Sequence, residues 1–368
     1  MCANILITGA SGYIGGSIVT EIWSRKSEFA KAVQIHAAVR SQEQAESFSE
    51  RDIRIAQLDL GDKSAVVNYV LSNDSPSTLP INVSDLFDLV INNATSIDPN
   101  VALNLIVALK EQREATGKES YYVHTTGLSA FDENTNWPFG EVKDTDPVYD
   151  LERKSADTYI VRQVDTFVVQ QLKAAGVTGF LIFPPTIHGR GSGTWNQLSP
   201  RIPALVKASI KYEQVYRFAE NRIATLAHIS DVAGFYAQLL EAILRGEQLP
   251  TGEDGYYFLV SHVVPWWEIL DRLAARLHSR GLVTSASTKT WPSDEMAAES
   301  VGVPVKFAYS MWNSSPKVLC EKKDLVGWKP IWNKESFLER LDDEIDDFLE
   351  LGMPKSSLLD SLKPKPGN

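Results

Sequence analysis

The chain has 368 residues, 43% of them hydrophobic, enough to bury one large core with a smaller lobe attached. A formal net charge of −11 denies it the basic face that a phosphate backbone requires, which excludes a nucleic-acid partner. No apolar run approaches the roughly 18 residues of a membrane span, and the two cysteines, Cys2 and Cys320, lie at opposite ends of the chain, so no membrane contact, disulfide framework or metal site is expected. Nothing ahead of the first strand reads as a signal peptide. The expectation is a cytoplasmic protein, monomer or homodimer, in which the Asn-x-Ser/Thr triplets at Asn73, Asn82, Asn93 and Asn313 are incidental.

The first element is the apolar run Ile5-Leu6-Ile7, a strand buried on both faces. It runs directly into Thr8-Gly9-x-x-Gly12-x-x-Gly15, followed by a helix over residues 11–25 with Ile14, Ile18, Val19 and Ile22 inward. Strand, glycine turn and amphipathic helix in this order predict a dinucleotide site. Gly9 permits the tight turn, Gly12 lets backbone approach the pyrophosphate, and Gly15 lets helix lie close on strand. The free N–H groups and positive dipole end of the helix then face the phosphates.

A second strand over residues 34–39 ends in Arg40-Ser41, and a third over 53–58 ends in Asp59-Leu60. A helix over 63–71 precedes a polar Ser/Asn/Pro stretch over 72–85 that reads as a surface loop. A fourth strand over 87–92, a helix over 101–116, a fifth strand over 121–125, a helix over 155–175 and a sixth strand over 178–183 follow. This alternation is that of an α/β, Rossmann-type doubly wound parallel sheet. It puts a dinucleotide-binding domain over residues 1–190, with returning elements at about 222–262, and a C-terminal substrate lobe over most of 191–353. Six of the nine tryptophans cluster between Trp266 and Trp332 in that lobe, which suits a hydrophobic or aromatic ligand. A last helix over 335–351 turns Phe337, Leu338, Leu341, Ile345, Phe348 and Leu349 inward and leaves Asp342, Asp343, Asp346 and Asp347 as a solvated face. The Lys/Pro/Ser-rich tail over 354–368 reads as disordered.

The Gly-x-x-Gly-x-x-Gly spacing behind Thr8 resembles the extended and atypical short-chain dehydrogenase/reductase superfamily, the NAD-dependent epimerase/dehydratase-like group, which includes sugar-nucleotide epimerases, dihydroflavonol-type reductases and NmrA-like sensors. Asp59-Leu60, Asn92-Asn93-Ala94-Thr95, Thr125-Thr126-Gly127-Leu128-Ser129, Pro184-Pro185-Thr186-Ile187-His188-Gly189 and Ala227-His228-Ile229-Ser230-Asp231 carry the resemblance to about residue 240. It implies cofactor contacts from Thr8, Gly9, Ser11, Gly12, Tyr13, Ile14, Gly15, Asp59, Leu60, Asn93, Ala94, Thr95, Thr125, Pro184 and Ile187, with Asp231 ordering the wall on the substrate side. Where an acidic residue would select NAD, this chain has Arg40 with Ser41 beside it. A guanidinium there suits a 2′-phosphate, so NADP(H) is expected over NAD(H); the alternative is a solvated strand-end residue or one that stacks on adenine.

The superfamily's usual Tyr-x-x-x-Lys pair is absent: none of the twelve tyrosines has a lysine four residues on. The nearest forms are Tyr149-x-x-x-Arg153 and Tyr159-x-x-x-Gln163, while matching Asp165 to the acidic residue that commonly follows the lysine puts Asp157 and Val161 in the two places. Arginine holds its proton too firmly to relay it. The remaining candidates are Thr126 and Ser129 for polarising a carbonyl, with Tyr159, Tyr149 or His188 as the acid, each weighed against a structural role as a cap, a strand-end hydrogen bond or a packed ring. Arg217 and Arg222 are the only candidates for a diphosphate-binding pair. The expected activity is an NADP(H)-dependent reductase or dehydrogenase acting on a hydrophobic or aromatic carbonyl. The alternatives are a non-redox lyase, isomerase or cyclase that keeps the dinucleotide, and a nucleotide-sensing regulatory protein.

Overall fold

The computed structural model describes residues 3–25, 31–72 and 86–354. Strands β1 (Ala3–Thr8), β2 (Val33–Val39), β3 (Arg54–Gln57), β4 (Phe87–Asn92) and β5 (Tyr121–Thr125) alternate with helices α1 (Tyr13–Ser24), α2 (Gln42–Glu46), α3 (Lys63–Ser72) and α4 (Pro99–Thr116). The two-residue β6 (Val142–Lys143), then α5 (Val148–Ser155) and α6 (Ile160–Ala175), lead to β7 (Thr178–Phe183) and β8 (Thr186–His188). Next come α7 (Arg201–Lys211), β9 (Tyr216–Arg217), β10 (Ile223–His228), α8 (Ile229–Leu244), β11 (Tyr256–Phe258), β12 (His262–Pro265) and α9 (Trp266–Ser279). The chain closes with β13 (Lys289–Thr290), α10 (Asp294–Val301), α11 (Val305–Trp312), β14 (Val318–Leu319), α12 (Lys334–Glu339) and α13 (Leu341–Leu351).

Seven parallel strands form the main sheet in the order β11-β7-β5-β4-β1-β2-β3. Side chains on successive strand residues point to opposite faces, and both faces of β1 are covered. Ile5 and Ile7 pack with Ile18, Val19 and Ile22 of α1 and with Val232, Phe235 and Leu239 of α8. Leu6 packs on the other face with Val66 and Val70 of α3, Leu105 and Leu109 of α4, and Val164 and Val168 of α6. That double coverage is why the strand reads as an unbroken apolar run, each fully buried side chain contributing about 1.5–3 kcal/mol. The sheet order reverses beside β1, between β2 on one side and β4 on the other, so connections leave in opposite directions and a crevice opens at the carboxyl ends of the strands.

A second core holds the C-terminal lobe together through Ile202 and Leu205 of α7, Trp266 and Leu273 of α9, Trp312 of α11, and Leu341 and Ile345 of α13. A small sheet, β12-β10-β8, joins lobe to main sheet, and α8 and β11 then return to the first core and to the sheet edge. Among the described residues, no helix is long and apolar enough to cross a membrane.

Three expectations change at this level. The helix expected over 155–175 is broken: α5 ends at Ser155, a 3-10 turn spans Ala156–Thr158, and α6 starts after Tyr159, which is extended at φ −152° and ψ 127°. The last helix breaks at Arg340, and Leu349, expected inward, is 50% exposed. Its acidic face is not simply solvated, because Asp342 and Asp346 pair with Arg280, Asp342 also with Arg276, and Asp347 with Arg190. Residues 73–85 of the expected loop, residues 355–368 of the tail, and Cys2 lie outside the described residues.

Candidate functional site

The glycine turn is built as its spacing requires. Gly9 adopts φ +63°, a left-handed conformation that favours glycine, and an added Cβ there would sit 2.6 Å from the Asn93 carbonyl oxygen. A Cβ on Gly15 would stand 2.2 Å from the Gly9 carbonyl oxygen, so α1 can approach β1 only with glycine in that place. Gly12 differs. It has an unstrained φ of −76°, and the nearest atom to an added Cβ is the Gly9 carbonyl oxygen at 3.0 Å. It is the N-cap of α1 and supplies no side-chain cap, which leaves the first-turn N–H groups of the helix without a side-chain acceptor.

Beside this turn lies a cleft of about 1080 Å³, part of it open to solvent. Tyr13 and Ile14 reach it from the start of α1, Thr126 to Ser129 from the end of β5, Tyr159 and Val161 from the start of α6, and Pro184 to Ile187 from the β7–β8 connection. The lobe closes it with Ser199 to Arg201 at the start of α7, Thr225 of β10, Phe307, Ser310 and Met311 of α11, and Ser314 and Pro316 beyond it. Within it the Tyr159 hydroxyl donates to Ser129 Oγ at 3.1 Å. The Thr126 hydroxyl donates to Asp165 Oδ2 at 2.9 Å.

A family model for the NAD-dependent epimerase/dehydratase family matches residues 5–251, two thirds of the sequence. The chain belongs to the NAD-dependent epimerase/dehydratase family. None of the curated proteins matches it. Solved structures share its fold at low identity. Vestitone reductase from alfalfa (Medicago sativa) is 15% identical over 95% of this chain and 99% of its own, with a TM-score of 0.60. UDP-glucuronic acid 4-epimerase from Bacillus cereus, in complex with NAD, is 14% identical over 97% and 99%, with a TM-score of 0.60. Triphenylmethane reductase from Citrobacter sp., complexed with NADP(H), is 12% identical over 94% and 99%, with a TM-score of 0.57.

The family's nicotinamide dinucleotide fits the residues around the turn. The space over Gly12 and the uncapped start of α1 suit a pyrophosphate. Arg40, at the end of β2, is exposed, and its guanidinium has no partner among the described residues. Its backbone N–H is fixed by Gln44 Oε1, and Ser41 accepts from the Gln44 N–H as the cap of α2. Asp59 is exposed and accepts from the Gly61 N–H, while Leu60 packs beside the α3–α4 core. Thr8 donates to Asn92, and Asn92 bonds Tyr122 and His124 in turn, so this segment is locked beneath the turn. Ala94 N–H donates to Asn92 and Ile97 N–H to Thr95. Thr125 bonds both Asn93 Oδ1 and the Tyr236 hydroxyl at 2.5 Å, whereas Asn93 Nδ2 is buried without a partner. Ser11 gives its carbonyl to Asn196 N–H from the 189–197 connection, which also bonds Tyr13 and Thr20 and so ties the lobe to α1.

Beneath Thr126 lies a fully buried pair of carboxyls, Asp165 and Glu152, hydrogen-bonded to each other; the Tyr256 hydroxyl donates to Glu152 at 3.0 Å. Burial pushes both carboxyls well above the usual carboxylate range. Burial likewise raises the Tyr159 hydroxyl, opposed by its bond to Ser129 and by the charges of Arg201 and Arg162.

Other sequence candidates lie elsewhere. His188 is 1% exposed and packs against His228, His262, Trp332 and Phe337, and burial holds it well below its ordinary pKa. It is absent from the cleft wall because β8 turns it toward α12 and α13. Tyr149 is 7% exposed, in a core with Phe131, Trp137 and Phe258, again outside the cleft. Of the two positions aligned with the missing pair, Val161 lines the cleft and Asp157 is exposed. No tryptophan lines the cleft among the described residues: Trp266, Trp312 and Trp328 are buried in cores, and Trp332 stacks on His228. Arg217 pairs with Asp271 and covers Trp267, and Arg222 pairs with Asp132 and Glu133, so neither arginine reaches the cleft. Asp231 accepts from the N–H groups of Ile331 and Trp332, which fixes the segment leading to α12.

Sequence reasoning missed Arg201. Its signal was a cation in the first turn of a helix, where the dipole disfavours positive charge.

Proposed function

We propose that the chain is an NADP(H)-dependent reductase acting on the carbonyl of an apolar small molecule, with Tyr159 as proton donor. The observation that carries this is the placement of the Tyr159 hydroxyl in the cleft, 3.1 Å from Ser129 Oγ, in a wall that Thr126 also lines. When bound, the dinucleotide supplies a hydride to the carbonyl carbon. The Ser129 hydroxyl, freed to turn, and the Tyr159 hydroxyl hold the substrate oxygen, and Tyr159 passes its proton to that oxygen as negative charge develops. The nearby positive charges of Arg201 and Arg162 favour the tyrosinate that remains, the part a lysine plays in the usual pair. Thr126, tied to Asp165, is a positioning group at the end of β5. Apolar side chains of Ile97, Leu128, Phe307 and Met311 form the walls against which the body of the substrate packs.

The free, exposed guanidinium of Arg40 supports NADP(H) over NAD(H). Isothermal titration is expected to give tighter binding of NADPH than NADH, and Arg40→Ala to cost about 1.5–3 kcal/mol for NADPH alone, the worth of charged hydrogen bonds. With a panel of aromatic aldehydes, ketones and enones, Tyr159→Phe should lower kcat by about 10²–10⁴ while NADPH binding is retained. NADPH that binds but is never consumed overturns the redox reading in favour of a non-redox enzyme or a nucleotide sensor, which product formation separates.

A further inference from the structure

Arg201 is the one charged residue in the cleft wall among the described residues. Every other polar group there is a hydroxyl or backbone, and much of the remaining wall is aliphatic, aromatic or proline. The guanidinium is fixed at one end. Its Nη1 donates to Thr186 Oγ1 at 2.6 Å and to Ser314 Oγ at 3.3 Å, and the Arg201 carbonyl accepts from Trp312 Nε1 at 2.9 Å. Its Nε and Nη2 groups, the side-on fork of the guanidinium, have no partner among the described residues, and no described carboxylate lies within 4.0 Å. Arg201 therefore differs from Arg162, whose buried guanidinium is used up by the carbonyls of Ser155, Ala130 and Thr135, and from Arg222, which faces two acids.

The position compounds the imbalance. Arg201 opens α7, an eleven-residue helix with no side-chain cap, so its charge adds to the positive end of the helix dipole. A half-buried cation with no carboxylate in contact, attracted at longer range by Asp132, which itself pairs with Arg222, and set against a helix N-terminus in an otherwise neutral cleft wall, is electrostatically completed by an anion.

We infer that the cleft recognises a small apolar molecule bearing a single carboxylate, which the Nε and Nη2 groups of Arg201 hold side-on while the reacting oxygen lies at Tyr159 and Ser129. This deepens the reductase reading, resting on it for the identity of the reacting end. The planar fork matches the two oxygens of a carboxylate, giving two parallel charged hydrogen bonds. One cation balances one negative charge. The diphosphate of a nucleotide sugar would bring two or more charges into a wall that offers one guanidinium, and Arg217 and Arg222, the other arginines of this region, are committed to acids outside it.

Binding to the full chain tests this without turnover. Cinnamate, 3-phenylpropanoate and 2-naphthoate are each titrated by calorimetry against the matching primary amide, with NADPH present and its own binding followed in the same samples. The expected result is a preference of about tenfold or more for acid over amide, abolished in Arg201→Gln, partly kept in Arg201→Lys, and intact in Tyr159→Phe. Circular dichroism and melting curves verify that the Arg201 variants are folded. Equal affinity for acid and amide, a preference that survives Arg201→Gln, tighter binding of UDP-glucose than of any acid, or no binding by any of the three acids overturns the inference. Should both Arg201 variants fail to fold, the wild-type preference decides alone. If the preference stands and NADPH is neither bound nor consumed, the reductase reading fails and the carboxylate site remains.

Discussion

Single residues here carry two kinds of constraint, steric and ionic. Gly9 and Gly15 are required by the fold, since a Cβ at either would drive into backbone, whereas a Cβ at Gly12 would meet only the Gly9 carbonyl oxygen, tightly, at 3.0 Å, so the stronger demand for glycine there comes from a ligand. Gly12→Val is expected to keep the far-ultraviolet circular dichroism of the parent and to abolish dinucleotide binding in a titration; normal binding would reduce the segment to a plain turn. Glu344 shows the ionic kind. It accepts the Gly189 N–H beside His188, and burial lifts its carboxyl from 4.5 to about 7. The folded state thus binds this proton more tightly than the unfolded chain. Its contribution is full below about pH 4.5 and is lost as pH rises through 7. Glutamine imitates the protonated form and still accepts the Gly189 N–H, so Glu344→Gln should flatten this slope. Relative to its own value at pH 4, the variant should retain about 1–3 kcal/mol more stability at pH 8 than the parent does, as read by urea unfolding. Parallel profiles would show that Glu344 stays ionised.

At the scale of elements, the break between α5 and α6 decides which side chain of this segment reaches the cleft. A continuous helix would carry Tyr159 on its own register; the extended Tyr159 residue instead swings the ring into the cleft. Arg162 holds that break. Its Nε reaches Ser155 O, its Nη1 Ala130 O, and its Nη2 both Thr135 O and Thr158 Oγ1, so one buried side chain pins both ends of the 3-10 turn to the segment after β5. Arg162→Met leaves those carbonyls without a donor in the interior. It should cost about 3–5 kcal/mol in denaturant unfolding, and Arg162→Lys should recover little, because one ammonium cannot span the same acceptors. A loss under 1 kcal/mol would mean the turn holds without the clamp.

Across the whole molecule, the chain visits the first core twice. The strands from β1 to β7 leave the face of Phe180 and Ile182 incomplete until α8 and β11 bring Phe235, Leu239 and Tyr257 back to it. A chain truncated after Gly189 lacks both elements and should therefore show no cooperative melting transition, whereas the full chain should. A truncated protein that melts sigmoidally would make the first half an independent domain. The arginine–aspartate pairs between α9 and α13 and between Arg190 and α13 sit on the outside of the lobe and are worth little individually. The apolar contacts beneath them carry the docking of that helix.

The sequence by itself determined six of the seven strands of the main sheet and the glycine turn, because both are local, whereas the edge strand β11 was not read as a strand. A run such as Ile5-Leu6-Ile7 states its burial in adjacent letters, and the spacing of Gly9, Gly12 and Gly15 states which backbone atoms must approach one another. Thr126 and Ser129 were legible for the same reason, lying directly after a strand whose end faces the crevice. Tertiary structure alone decided what fills the cleft. Tyr159 enters it through a helix break held by Arg162 across 32 residues to Ala130, and Arg201 is steered by Ser314, 113 residues away. His188 and the tryptophans were drawn out of contention by the same kind of distant contact, since burying a large ring among partners far along the chain gains more than leaving it on a cleft wall. No periodicity in one segment encodes which remote segment will cover it.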